Sequence, residues 1–460
     1  MDKQTHLTIK HPSFSGIIGV AQENITPPVG IYARSWGAAQ YDIAEGIHSP
    51  LMLVCQTFQS SKQEKPLVLI SADLGWFKDS EDELFLRKAI LEAFAFTAEQ
   101  LMICFSHTHA GPSLCRADAG KPGGNYIEPY LLHVQECAIH AIQNALSTAK
   151  PATISWKYGK CNLATNRDLP EEEKKRFVVG FNPDRGADDT LLVGRVTNEH
   201  NDIIATIVNY ACHPTTLAWD NRLISPDYVG TMRHMIELET HAPCLFLQGA
   251  SGELAPAEQY VGDIAVAEKY GRQLGYAVLS ALESMLPHNT QLSFDRVVES
   301  GAPLAVWKQS PFQPSGTISA EIAEVKMPLK SLLPLAEIEQ QLLACNDRVL
   351  QERLWRKRNV RKSVGDGDTA SIPLWVWWLG DSLLIGQPNE AYSDFQQELR
   401  KEFSSDAVAV MNVVNGHIGY LPPKELYGND IYQVWQSPFE RGSLELLIDT
   451  AIKTAKKLEE

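Results

Sequence analysis

The sequence predicts an α/β protein of mixed β-sheets flanked by helices, with its active site at the carboxyl ends of the strands. Three observations carry this. Short apolar runs alternate with amphipathic stretches along the chain. Polar, metal-capable residues follow directly after five of those runs. No linker rich in Pro, Gly or Ser divides the 460 residues. One large domain over 1–460 is therefore expected, although at about 150 residues per domain the length would also permit three.

The elements follow in order. Strand-like runs are Pro66–Ala72, Leu101–Ser106, Ile203–Ala211, Cys244–Leu247, Ser382–Gly386 and Val408–Val414. IPLWVWWLGDSLLIG reads as a hairpin that turns near Gly380-Asp381. Helix-like stretches are Ser80–Ala95, Pro129–Ala149, Ile264–Leu286 and Phe395–Phe403. The first opens SEDE, an N-cap followed by acids that suit the helix dipole. From Leu333 to Lys362 a single long amphipathic helix is expected, basic at its end, with a solvated face.

The 41 Lys and Arg against 56 Asp and Glu give a net charge of −15. That balance argues against non-specific nucleic-acid binding and a polybasic membrane surface. The eight cysteines contain no CxxC pair and several sit in apolar runs, as expected of buried free thiols in a reducing compartment. No apolar stretch at the N-terminus fits a signal peptide, and no run of about 18 apolar residues fits a transmembrane helix. A cytoplasmic protein acting on a small molecule is the expectation.

The chemistry collects after the strands. LMICFS leads into His107-Thr108-His109 and then Gly111-Pro112. IIATIVNYAC leads into His213, CLFLQGA into Ser251-Gly252-Glu253, SLLIGQPN into Glu390, and VAVMNVVNGHIG into Tyr420. Ligands of open α/β sheets bind at this end. On an extended backbone, His107 and His109 would face one side and could share a metal. Imidazole is the commonest side-chain ligand for zinc. Two His and one Glu, with a position left open for water, meet the count of a catalytic zinc site.

Six segments together resemble the neutral/alkaline ceramidase family. They are ITPPVGIYARSWGAAQYDIAEGIHSPL at 25–51, FSHTHAGPS at 105–113, NYACHPTTLAWDNRLISPD at 209–227, LQGASGELAP at 247–256, IGQPNEAYSDFQQELR at 385–400 and NGHIGYLPPKELYGNDIYQ at 415–433. The resemblance implies a zinc-dependent hydrolase that cleaves an amide bond of an N-acyl substrate with metal-activated water. It implies His107, His213, Glu390 and Tyr420 as the zinc site, and His109 as the histidine that moves the proton. It also implies Arg167 and Tyr432 at the reaction centre, with Tyr427 a lesser candidate beside Tyr432. The chain departs from the family at Ala255, where a serine is expected. Its last residues read as a helix where the family continues into an immunoglobulin-like domain, so no such domain is expected, and no signal peptide is expected from its first residues. These departures leave open whether the substrate is ceramide, another N-acyl compound, a cyclic amide or an ester. Two other readings stand beside it: an amidohydrolase on a (β/α)₈ barrel, and a binding protein with a vestigial metal site. Asp73 and His48 are candidates for supporting the site. Trp36, Trp76, Trp219, Trp375, Trp377 and Trp378 are candidates for lining a groove or for filling the core.

Overall fold

A computed structural model describes residues 7–459. Continuous apolar runs along the central strands, buried on both faces, decide its layering. The large sheet consists of β1 (Ser13–Asn24), β2 (Met52–Gln59), β3 (Leu67–Ala72), β4 (Leu101–Phe105), β5 (Lys150–Lys160), β6 (Thr190–Asn198), β7 (Ile203–Tyr210) and β8 (Cys244–Gln248). Its order is β8-β7-β6-β5-β1-β2-β3-β4. β3 runs parallel to β4 and β7 parallel to β8, while the other neighbours are antiparallel. A second sheet, β9 (Ile318–Pro328), β10 (Thr369–Leu379), β11 (Ser382–Gly386) and β12 (Ala407–Met411), lies in that order with only β11 and β12 parallel. Such open, largely antiparallel sheets exclude the (β/α)₈ barrel.

The two sheets pack face to face. Val54, Leu69, Cys104 and Leu247 of the first meet Trp375, Trp377, Leu384 and Met411 of the second in one buried cluster. The intervening residues point outward. Cys55, Ile70 and Ile103 lie under α1 (Ser80–Phe94) and α2 (Ile127–Thr148). Val208 and Phe246 lie under α3 (Tyr228–Thr240) and α4 (Ile264–Glu283). A Cβ on Gly19 of β1 would sit 1.8 Å from the Ala145 carbonyl oxygen, so glycine alone lets α2 approach the sheet this closely. The connection from β9 to β10 carries α5 (Leu335–Ala344) and α6 (Arg348–Val364). Val376 and Val410, on the outer face of the second sheet, join a cluster with residues of α7 (Asp394–Glu402) and α9 (Ser443–Glu459), and α8 (Tyr432–Gln436) lies just before α9. The result is a four-layer α/β/β/α arrangement.

The expected strands and helices are present within a few residues, and the hairpin is β10–β11. Two expectations change. The stretch from Leu333 to Lys362 is two helices, broken at Cys345-Asn346-Asp347, because the Asp347 carboxylate accepts from the Leu350 N–H and caps a new helix. The cap of α1 is Asp79, which accepts from the Glu81 N–H, and Ser80 is already helical. Among the described residues seven cysteines are buried, Cys345 is partly exposed, and none is paired. Trp375, Trp377 and Trp378 fill the core.

Two buried acids tie strand ends to helices. Asp73, at the end of β3, is fully buried, accepts from the Met52 N–H and holds Arg233 of α3 through both carboxylate oxygens. Asp73→Ala would strand the Arg233 guanidinium in the interior, and chemical denaturation should show a loss of about 3–5 kcal/mol. Glu253, in the segment after β8, accepts from the Ser393 N–H and hydroxyl just before α7. Burial pushes its carboxyl up to about 8 against those hydrogen bonds, with Asp394 adding to the rise. The native state therefore holds a proton that the unfolded chain releases near its ordinary value of 4.5. Stability from this proton is complete below that value and is lost as pH rises to about 8. Glu253→Gln should flatten this part of the profile, by on the order of a few kcal/mol in urea titrations at the two ends of the range.

Candidate metal centre and its cavity

The hydrogen-bonding ladder of the large sheet runs past the end of β4. The Ser106 N–H donates to Ala72 and the His107 N–H to Leu74, so the loop after β4 is held against the loop after β3. His107 then adopts φ 67°, in the left-handed region that non-glycine residues rarely occupy. This corrects the expectation of an extended His-Thr-His step. A turn, not strand alternation, brings the His107 and His109 rings to 5.1 Å. His213, in the segment after β7, places its ring 5.0 Å from His107. Potential ligand nitrogens of His107, His109 and His213 all lie within 4.8 Å of one another.

Hydrogen bonds decide the tautomers. His107 Nδ1 lies 3.1 Å from the Gly75 carbonyl oxygen, and His213 Nδ1 lies 2.7 Å from that of Ser251. Carbonyl oxygens only accept, so both Nδ1 atoms carry hydrogen, and in the neutral imidazoles both Nε2 lone pairs face inward. Opposite them, Glu390 Oε2 is 2.8 Å from His213 Nε2 and 3.5 Å from His107 Nε2. Burial, then the Arg167 charge, hold the His213 imidazole down to about 4 despite Glu390. Burial pushes the Glu390 carboxyl up, but the neighbouring imidazoles of His107, His213 and His417 outweigh it and keep it well below the usual carboxylate range. Lone pairs of two imidazoles and a carboxylate therefore converge on one point. A proton or a cation relieves that convergence; burial disfavours the proton on His213, and of the three groups Arg167 bonds only His213, at 3.2 Å. His107 Nε2 is buried with no hydrogen-bond partner. The donor set fits a divalent metal of the zinc class.

Tyr420 reaches the same point through a short parallel pairing with Glu390. Its hydroxyl accepts from Arg167 Nη2 at 3.2 Å, and burial, with Glu390 adding to it, pushes its pKa well up. Arg167 also donates to the Gly252 carbonyl at 2.8 Å and lies 3.2 Å from His213 Nε2. Burial would lower its pKa, but Tyr420, Tyr260 and Glu390 raise it above the ordinary value. His109 stands between the Trp36 and Trp76 rings, at 5.1 and 4.8 Å. Both its nitrogens are buried and unpartnered. Burial holds its pKa well below normal, with His107 and His213 adding to the effect. Tyr432 opens α8, packs its ring 5.5 Å from that of Tyr420, and accepts from Arg356 Nη1 at 3.2 Å.

These groups line one cavity of about 440 Å³, except His213, which sits behind them. Tyr427 is not part of its lining and instead carries the Lys330 ammonium over its ring. Asp73 belongs to the Arg233 pair, and His48 bonds Ser225 and Glu268 away from the cavity. Trp36 and Trp76 line the cavity, and Trp219 packs behind Trp36. Two site residues escape the sequence reading. His417 Nε2 is 2.8 Å from Glu390 Oε1, and its position three residues before Tyr420 in NGHIGY is the signal for it. Arg356 lies on α6, expected to have a solvated face, yet it bonds Tyr432, Glu352 and the Ser35 carbonyl and lies over the Trp76 ring. Nothing in its basic stretch marks it.

Known proteins share this architecture. The profile of the neutral/alkaline non-lysosomal ceramidase family, N-terminal part, matches residues 17–263, more than half of the chain. A neutral ceramidase of Pseudomonas aeruginosa is 23% identical over 228 residues, which cover 46% of this chain and 32% of that enzyme. The aligned stretch thus spans about a third of that relative's length. The crystal structure of neutral ceramidase from Pseudomonas aeruginosa superposes with a TM-score of 0.67 at 15% identity, over 98% of this chain and 75% of the other. A structure described as ceramidase complexed with C2 gives the same TM-score and identity, over 98% and 76%. The chain belongs to the neutral/alkaline non-lysosomal ceramidase family.

Proposed function

We propose that the protein is a zinc-dependent hydrolase that cleaves the amide bond of an N-acyl substrate, with water as the nucleophile. The observation that carries this is the convergence of His107 Nε2, His213 Nε2 and Glu390 Oε2, three acceptors without a shared proton, at the wall of an aromatic cavity. His107, His213 and Glu390 would hold the metal, with Tyr420 beside it as a fourth donor. Zinc in such a donor set supplies a Lewis acid that polarises a carbonyl and acidifies water.

The other residues have roles that follow from their surroundings. His109 is neutral and has two unpartnered nitrogens, so it can accept a proton from the attacking water and return it to the leaving nitrogen. Arg356 donates to the Tyr432 oxygen, which leaves the phenolic hydrogen free to be donated to developing negative charge on the substrate oxygen. Arg167 places a buried, permanent cation next to Tyr420. Among the described residues the cavity lining holds no serine and no cysteine, and its one threonine, Thr215, commits its hydroxyl hydrogen to Gln259 Oε1 at 2.8 Å. Ser251 accepts from the Gln248 amide, and Ala255 stands where the resemblance expects a serine. Water is left as the attacking group. Trp36, Trp76 and Trp355 give an acyl chain an apolar wall. Ceramide, the substrate in the relative's name, is one N-acyl amide of this class.

His107→Ala and His213→Ala should each abolish stoichiometric zinc, read by elemental analysis of the purified protein, and with it amide hydrolysis. Zinc that survives both substitutions would remove the basis of the proposal. His109→Ala should keep the metal and lose about 10²–10⁴-fold in kcat on an N-acyl amide panel. Loss of the metal in that variant would make His109 a ligand instead of the proton carrier.

A further inference from the structure

The chain is acidic, with 56 carboxylate residues against 41 cations, yet its cavity reverses that balance. Lys78, Arg167, Arg176, Arg353 and Arg356 line it, against Glu352 and Glu390. Three of these cations have carboxylate partners outside the reaction centre. Lys78 lies 3.4 Å from Asp118, Arg176 holds Glu171, and Arg356 lies 3.1 Å from Glu352. Arg167 faces the metal position. Arg353 makes no ion pair or hydrogen bond among the described residues and rests over the Trp435 ring at 5.7 Å. It stands one helical turn before Arg356 on α6, so the two guanidiniums lie on one face of the helix. Arg356 marks the deep end of that face at Tyr432, and Arg353 the exposed end. Each Arg356 terminal nitrogen has one hydrogen committed, to Tyr432 or to the Ser35 carbonyl, and a second hydrogen free.

We infer that the substrate of this site carries an anionic group, a carboxylate on the portion facing α6, held by Arg353 and Arg356. A neutral N-acyl lipid would leave Arg353 without a partner, whereas an N-acyl amino acid would fill both the aromatic wall and the cationic face. This rests on the hydrolase reading only for what is then cleaved.

Calorimetric binding of the metal-loaded full chain to N-lauroylglycine and to N-lauroylglycinamide tests it. The carboxylate probe should bind about tenfold more tightly, and its advantage should shrink as salt is raised. Arg353→Gln should remove most of that advantage and leave the affinity for the amide probe unchanged, while Arg353→Lys should restore much of it. Equal affinities, tighter binding of the amide, or no binding of either probe would overturn the inference. So would a preference that survives Arg353→Gln, because the carboxylate would then be held without Arg353, by another cation of the cavity or by the metal. Hydrolysis of both probes, followed separately, keeps the two proposals apart. A charge preference without cleavage would sink the hydrolase reading alone, and cleavage without a preference would sink this inference alone.

Discussion

Two backbone carbonyls decide the character of this site. By accepting from His107 Nδ1 and His213 Nδ1, the Gly75 and Ser251 carbonyls force both Nε2 lone pairs toward Glu390. The Glu390 carboxylate is itself held on its other oxygen by His417. Such outer contacts fix the tautomer and orientation of metal-binding side chains. Neutral imidazoles facing a buried carboxylate are unfavourable in isolation, and a divalent cation resolves the conflict. The unpartnered nitrogens of His109 lie beside this point and leave it able to exchange protons.

The packed sheets make that convergence possible. His107 and His213 follow strands of the large sheet, while Glu390 and Tyr420 follow strands of the smaller one. Neither sheet alone holds the whole donor set. The dry contact between Trp375 and Trp377 and the inner face of the large sheet sets the distance between the two halves. The parallel pairs β3–β4, β7–β8 and β11–β12 place several strand ends near one another, where ligands of α/β sheets bind. The loops then add local strain, at His107 and at Val413, a β-branched residue with φ 57°.

The strands and the larger helices are legible in the sequence because short apolar runs and helical spacing are local. Three strand-end motifs, at His107, His213 and Glu390, are legible because each follows an apolar run and stands in a segment that resembles the ceramidase family. Arg356 is not legible. Its surroundings, LWRKRN, read as the polar end of a solvated helix, and only the long-range contacts with Ser35 and Tyr432 turn that face into a cavity wall. The break before α6 is a related case: helical periodicity continues across Cys345-Asn346-Asp347, and the competing cap by Asp347 decides the outcome. The geometry of His-Thr-His also lies beyond pattern reading, since a left-handed histidine is a product of the loop contacts around it.

The most direct test is zinc-edge X-ray absorption of the purified protein, compared between the native chain and His109→Ala. The proposed donor set of His107, His213, Glu390 and Tyr420 predicts a light-atom shell at about 2.0–2.1 Å, with imidazole scattering from two histidines and oxygen donors besides, unchanged in the variant. A three-histidine shell that loses one imidazole in His109→Ala would contradict it, as would a shell containing sulfur.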